Sequence, residues 1–200
     1  MYNMELLVAT LIAYLFGSLS SAIIVCKLAG LPDPRTQGSR NPGATNVLRI
    51  GGKKAAIVTL LGDTLKGLIP VLLATWYGLD SLGLALVTFA AFLGHIFPIF
   101  FRFEGGKGVA TAIGCIIGLC WPAALCLMAT WLIVAYIFRY SSVASLSGSL
   151  LAPLYIWYFT DNRLFVITIA LMSAVLIYRH YGNIKKLLAG EESKIGSRSG

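Results

Sequence analysis

Apolar runs separated by short polar interruptions organise the chain from end to end. Read against glycine, proline and charge, they predict helices over 5–28, 54–77, 82–101, 142–160 and 163–179, each near the roughly 20 residues that cross the hydrocarbon layer of a bilayer. The run 108–138 fits less simply. As one rod it would be about 46 Å long, too long for one crossing and short for two full ones. Gly118 and Pro122, in the stretch "GLCWP", supply a place to break it into two short helices.

Composition turns these helices into membrane spans. Of 200 residues, 58% are hydrophobic and only 12% charged, which is too apolar for an ordinary soluble domain. The first run opens with Glu5 and no lysine or arginine before it, which reads as a retained span rather than a secretory signal. Cys26, Cys115, Cys120 and Cys126 lie in apolar runs without metal-ligand spacing and read as packing residues. No cluster of carboxylates and histidines suggests a metal, and no cofactor is called for.

The formal charge of +8 matters through its distribution. With the N-terminus outside and 108–138 crossing twice, every lysine and arginine except Arg163 and Lys66 falls on the cytoplasmic side, the tail residue Arg198 included. A single crossing would put the basic tail on the other side. The expectation is therefore an all-α, polytopic membrane protein, one domain over 1–200: a seven-transmembrane-helix bundle, N-terminus outside and C-terminus cytoplasmic. Its partners are membrane lipids and not nucleic acid.

That topology sends three polar segments to the cytoplasmic face. In "GSRNPGATNVLR", residues 38–49, Asn-Pro-Gly is turn chemistry. Ser39, Asn41, Thr45 and Asn46 surround the turn with hydroxyl and amide groups, and Arg49 adds a planar fork suited to phosphate. A turn followed by a helix start explains much of this segment by itself. In "FEGGKGVAT", residues 103–111, Gly105, Gly106 and Gly108 permit backbone conformations closed to other residues. Consecutive N–H groups can then face an anion at the N-terminus of a helix beginning near Val109, with Lys107 as a point charge. No serine or threonine follows the lysine, so this is not a nucleotide P-loop, and a membrane hairpin with a snorkelling lysine is the plainer alternative. His95, just before it, reads as a helix-positioning residue. In "RHYGNIKKLLAGEESKIG", residues 179–196, His180 and Asn183 share a helical face, while Lys185 and Lys186 suit a tail lying on anionic lipid. A fourth feature, "GDTLKG", puts Asp63 and Lys66 three apart within a span, where ionisable groups are costly and pair with one another.

Taken in order, these four segments resemble the bacterial acyl-phosphate:glycerol-3-phosphate acyltransferases, the PlsY family, over essentially the whole chain. The resemblance implies a bundle in the bacterial cytoplasmic (inner) membrane with its site facing the cytoplasm, acyl phosphate and glycerol 3-phosphate as substrates, and lysophosphatidic acid and phosphate as products. It also implies transient contact with a peripheral enzyme that makes the acyl phosphate. Carried over by position, the catalytic candidates are Ser39, Arg49, Lys107, His180 and Asn183. The substrate- and phosphate-binding candidates are Asn41, Thr45, Asn46, Gly105, Gly106, Gly108 and Glu192. Glu104 departs from the family pattern, which favours a basic residue there. An acidic group beside an anion site weakens binding unless it turns away or pairs, and Arg102 is the near candidate.

Both substrates carry phosphate, so positive charge and N–H donors matter more than a strong base. No nucleophile elbow is present, and direct attack by the glycerol hydroxyl is the simpler chemistry. The hydroxyl proton goes either to the substrate phosphate or to His180. An anion transporter would instead place its binding groups near the midplane and show inverted repeats, and neither is evident. A membrane-anchored scaffold would need no such arrangement of Ser39, Arg49 and Lys107.

Overall fold

The computed structural model describes residues 2–196; Arg198 lies outside them. Among the described residues it is all-helical: α1 (Tyr2–Gly17), α2 (Ser21–Leu28), α3 (Ala44–Tyr77), α4 (Ser81–Ile96), α5 (Val109–Leu119), α6 (Trp121–Phe138), α7 (Ser141–Thr160), α8 (Arg163–Arg179) and α9 (Tyr181–Leu188), with one 3₁₀ turn at Ile99–Phe101. The chain forms two compact units, one ending at Leu119 and the other beginning at Cys120.

In the first unit α3 packs against α1, α2, α4 and α5, and α1 packs along α4. Small residues make these contacts close. A Cβ at Gly67 of α3 would strike the Thr111 carbonyl of α5, and one at Gly114 of α5 would strike the Thr64 carbonyl of α3. Gly17 and Gly94 play the same part between α1 and α4, as expected where helices associate by backbone approach rather than by a hydrophobic drive. The predicted span 5–28 is two helices bent by 42°. After Gly17 the Ser18 hydroxyl bonds to the Tyr14 carbonyl, and α2 starts only at Ser21. The break exposes the Leu19 carbonyl, which the Lys66 ammonium takes at 2.7 Å.

The helix predicted over 54–77 begins ten positions earlier, at Ala44, because Gly43 in extended conformation accepts the Asn46 and Val47 amides and starts the first turn. Gly52 (φ 77°, ψ −175°) interrupts it near the expected start. The polar segment 38–49 is thus a turn followed by a helix start, as its residues predict. α4 starts where Asp80 accepts the Gly83 amide.

In the second unit α6 packs on α7, α7 on α8, and α8 on α9. The long run breaks as expected: Cys120 is extended (φ −161°, ψ 91°) and Pro122 sits in the first turn of α6, where its missing N–H is harmless. The tail folds back within this unit, with the Ile195 amide donating to the Arg139 carbonyl at 2.6 Å. Among the described residues four helices are long and apolar enough to cross a membrane, or up to six spans if the bent pairs α1–α2 and α8–α9 each count once; α5 is apolar but shorter. The cysteines are free thiols.

Candidate active site

The glycine loop is built from the end of α4. Past Ile96 the chain turns through Pro98 and the 3₁₀ turn, then through two left-handed residues, Arg102 (φ 58°) and Phe103 (φ 60°). The Phe103 amide donates to the Pro98 carbonyl and the Glu104 amide to the Phe101 carbonyl, so the strand of loop that follows runs back over α4. A Cβ at Gly105 would meet the carbonyl oxygens of His95 and Ile96, and one at Gly106 would meet His95 Nε2 and the Pro42 carbonyl. Gly108 alone of the three has a positive φ, 90°, and its carbonyl accepts the Ala112 amide in the first turn of α5. The expectation that all three glycines serve backbone freedom is thus corrected: Gly105 and Gly106 are required for space. Lys107 is half-buried at the N-terminal end of α5, where the helix dipole and the ammonium both favour an anion.

The first motif meets this loop through Pro42, whose carbonyl lies against Gly106. Its centre is Asn46, which is buried. Asn46 Oδ1 accepts the Ser39 amide at 2.8 Å, and Nδ2 donates to the carbonyls of Pro34 at 2.8 Å and Gln37 at 3.0 Å. Gly38 (φ 60°) must lack a side chain because Asn46 occupies that space. The amide of Asn46 is fully engaged in holding residues 34–39. Thr45 and Arg49, four apart on α3, share its exposed side, and Ser39 is exposed beside them in sequence; Asn41 is half-buried. The polar wall expected from Thr45 and Asn46 is thus split, one residue facing out and the other in.

Arg35, which the sequence reading passed over, ties the two loops together. Its guanidinium grips both oxygens of Asp33, with Nη2 to Oδ2 at 2.7 Å, and donates through Nη1 to Glu104 Oε2 at 3.0 Å. Glu104 therefore pairs with Arg35 and not with Arg102. Hydrogen bonds from Arg35 hold the Asp33 carboxyl below the usual carboxylate range, against the opposing effect of partial burial. The signal available in sequence was the Asp-Pro-Arg spacing, which lets an arginine fold back on the aspartate two positions earlier.

In the second unit His180 closes α8 and opens α9 at a bend of 53°, so His180 and Asn183 straddle a helix junction rather than sharing the face of one span. His180 is buried, and its Nδ1 lies 2.8 Å from the Leu176 carbonyl. A carbonyl can only accept, so Nδ1 carries the proton and Nε2 is the basic nitrogen of the neutral ring. Glu192 Oε1 accepts from Asn183 Nδ2 and from the Ser142 hydroxyl, each at 2.7 Å. Glu192 thereby orients the Asn183 amide and ties the tail to α7.

Comparison with known proteins agrees with this picture. The profile of the family described as glycerol-3-phosphate acyltransferase matches residues 7–190. A glycerol-3-phosphate acyltransferase of Methylococcus capsulatus is 53% identical over 93% of this chain and 94% of its own, and one of Thioalkalivibrio sulfidiphilus is 56% identical over 94% and 92%. Among solved structures, the glycerol 3-phosphate form of PlsY (YgiH), an integral membrane glycerol 3-phosphate acyltransferase, superposes with a TM-score of 0.92 at 39% identity, covering 96% of each chain. Its lysophosphatidic acid form gives 0.87 at 37% identity, again over 96% of each.

Proposed function

Because the chain belongs to the glycerol-3-phosphate acyltransferase family, we propose that it is an integral membrane acyltransferase that moves a fatty acyl group from acyl phosphate to the 1-hydroxyl of sn-glycerol 3-phosphate, in the first step of phospholipid synthesis. The observation that carries this reading is the glycine loop, which sets Lys107 at the N-terminus of α5 and is braced by the motif that bears Ser39 and Arg49. A helix N-terminus with an adjacent lysine suits the phosphate group of an acyl phosphate, which departs as inorganic phosphate.

The Lys107 loop then binds the acyl phosphate, while Ser39, Arg49, His180 and Asn183 serve glycerol 3-phosphate. Its 1-hydroxyl oxygen attacks the acyl carbon; the new ester C–O bond forms, the bond from the acyl carbon to the bridging oxygen breaks, and phosphate leaves with that oxygen and the electron pair. The hydroxyl proton passes to phosphate or to His180 Nε2. Fixed N–H donors stabilise the oxyanion that develops on the acyl carbonyl. Thr45 and Asn41 add polar groups beside Ser39 and Arg49, Asn46 holds the first motif in shape, and Glu192 orients Asn183. The whole chain acts as one catalytic domain.

The four long helices, the two bent pairs and α5 together make seven crossings. With the N-terminus outside, every lysine and arginine except Arg163 and Lys66 then falls on the cytoplasmic side of the bacterial inner membrane. Acyl phosphate reaches the site by transient contact with the peripheral enzyme that produces it.

The test is product formation by detergent-purified protein given glycerol 3-phosphate and palmitoyl phosphate, with palmitoyl-CoA as a parallel donor and Arg49→Ala as control. Lysophosphatidic acid and phosphate from the acyl phosphate alone, lost in the control, are expected. Equal product from palmitoyl-CoA would overturn the donor assignment, and no product with either donor from folded protein would overturn the reading as a whole.

A further inference from the structure

Beneath the glycine loop, inside the first unit, lies a set of buried charges and dipoles that the proposed chemistry does not use. Lys66 Nζ is 2.8 Å from Asp63 Oδ1, with the two side chains only 4% and 3% exposed. Lys66 also donates to the Leu19 carbonyl at the α1–α2 break. His95 Nδ1 lies 3.8 Å from the same Asp63 oxygen, an electrostatic contact rather than a hydrogen bond. The opposite edge of that imidazole, Nε2, faces Gly106 closely enough that no side chain fits there. A continuous polar line thus runs from the α1–α2 break through α3 and α4 to the middle of the loop.

As a source of stability this line is a poor choice. A buried ion pair seldom outperforms apolar side chains of similar volume, and at membrane depth the desolvation is harder to offset. Its geometry has another consequence. The loop sits on the His95 ring from one side and the Pro42 carbonyl from the other, so the ring's orientation sets where the Gly106 and Lys107 amides point. We propose that Lys66, Asp63 and His95 are positioning residues for the phosphate loop: the ion pair holds the imidazole, and the imidazole holds Gly106. This rests on the reading of that loop as the acyl phosphate site. A displacement of about 1 Å at such a site lowers catalytic efficiency by up to about a hundredfold.

Two sets of variants test it, read by hydrogen exchange over residues 103–109 and by steady-state kinetics. Asp63→Leu with Lys66→Met removes the pair without stranding a charge. It is expected to stay folded, to exchange at least about tenfold faster in the loop, and to raise KM for palmitoyl phosphate about tenfold or more while kcat falls less than about threefold. His95→Gln and His95→Asn leave the pair intact, which keeps the test available if the double variant does not fold. Gln keeps a polar nitrogen at the Nε2 position, beside Gly106, but loses the Nδ1 contact with Asp63, and is expected to retain part of the loop protection; Asn keeps only the Nδ1 position, beside Asp63, and is expected to lose it entirely. Wild-type exchange and KM in the double variant, or equal behaviour of Gln and Asn, would overturn the proposal. If wild-type protein makes no product, the exchange results still decide the positioning role, and only the acyl-transfer reading fails.

Discussion

Asn46 separates a scaffolding role from direct substrate contact, and Asn46→Asp is the perturbation that tells them apart. The substitution keeps side-chain shape and the bond to the Ser39 amide, but both donations, to Pro34 at 2.8 Å and Gln37 at 3.0 Å, are lost. Each such bond contributes about 0.5–1.5 kcal/mol net. Gln37 is exposed and its carbonyl can rehydrate, whereas Pro34 is buried and cannot. The new carboxylate oxygen also faces two carbonyl oxygens without a donor. The loss is therefore about 2 kcal/mol or more, or about a thirtyfold increase in the opened population of residues 34–39. Hydrogen exchange of peptides covering 33–43 in detergent, run beside kinetics with both substrates, reads it directly. Faster exchange at Ser39 with reduced kcat/KM is the expected result. Unchanged exchange with a raised KM for glycerol 3-phosphate would refute the scaffolding argument and make Asn46 a substrate contact.

Gly105→Ala drives a methyl group into the carbonyls of His95 and Ile96, which as backbone cannot yield; kcat/KM is expected to fall at least about tenfold with helical content, read by circular dichroism, unchanged. Gly182→Ala is the opposite case: nothing lies within 4 Å of the added carbon in α9, so the helix gains about 0.5–1 kcal/mol and thermal stability holds or rises. Glu192→Gln swaps one Oε1 acceptor position for an amide that can present either group, so kcat is expected to drop with exchange at Asn183 increased, and an unchanged rate would remove Glu192 from the orienting role. The Asp33 carboxyl, depressed by Arg35, stabilises the loop pairing fully above the ordinary carboxylate range and loses that contribution as pH falls through its lowered value. Loop exchange should therefore rise only below about pH 4, and Asp33→Asn should abolish that acid dependence.

The helices were legible because their signal is local. Apolar run length and the break at "GLCWP" can each be read from a few neighbouring residues, and each appears where the pattern puts it. The bend after Gly17 has a cause that the local pattern does not carry, since that residue packs closely on Ala91 far away in sequence. The span predicted over 54–77 follows the break at Gly52, and the helical turns before it, from Ala44, start on the Gly43 carbonyl.

The same distinction explains which parts of the site were visible. Residue types suited to phosphate, such as Ser39, Arg49 and Lys107, announce themselves by chemistry and by the glycines around them. What holds them does not. Arg35 pairs with Glu104 across 69 positions, and Asn183 meets Glu192 by a fold-back of the tail. Gly106 is glycine because His95 is already there. A glycine-rich stretch in a membrane protein invites the argument from backbone freedom, yet only Gly108 of the three uses a positive φ. The other two record how closely a loop must approach a helix end for its amides to be aimed by side chains beneath it. That closeness, more than flexibility, is what an anion site needs, since donors that must reorganise on binding lose much of their advantage over water.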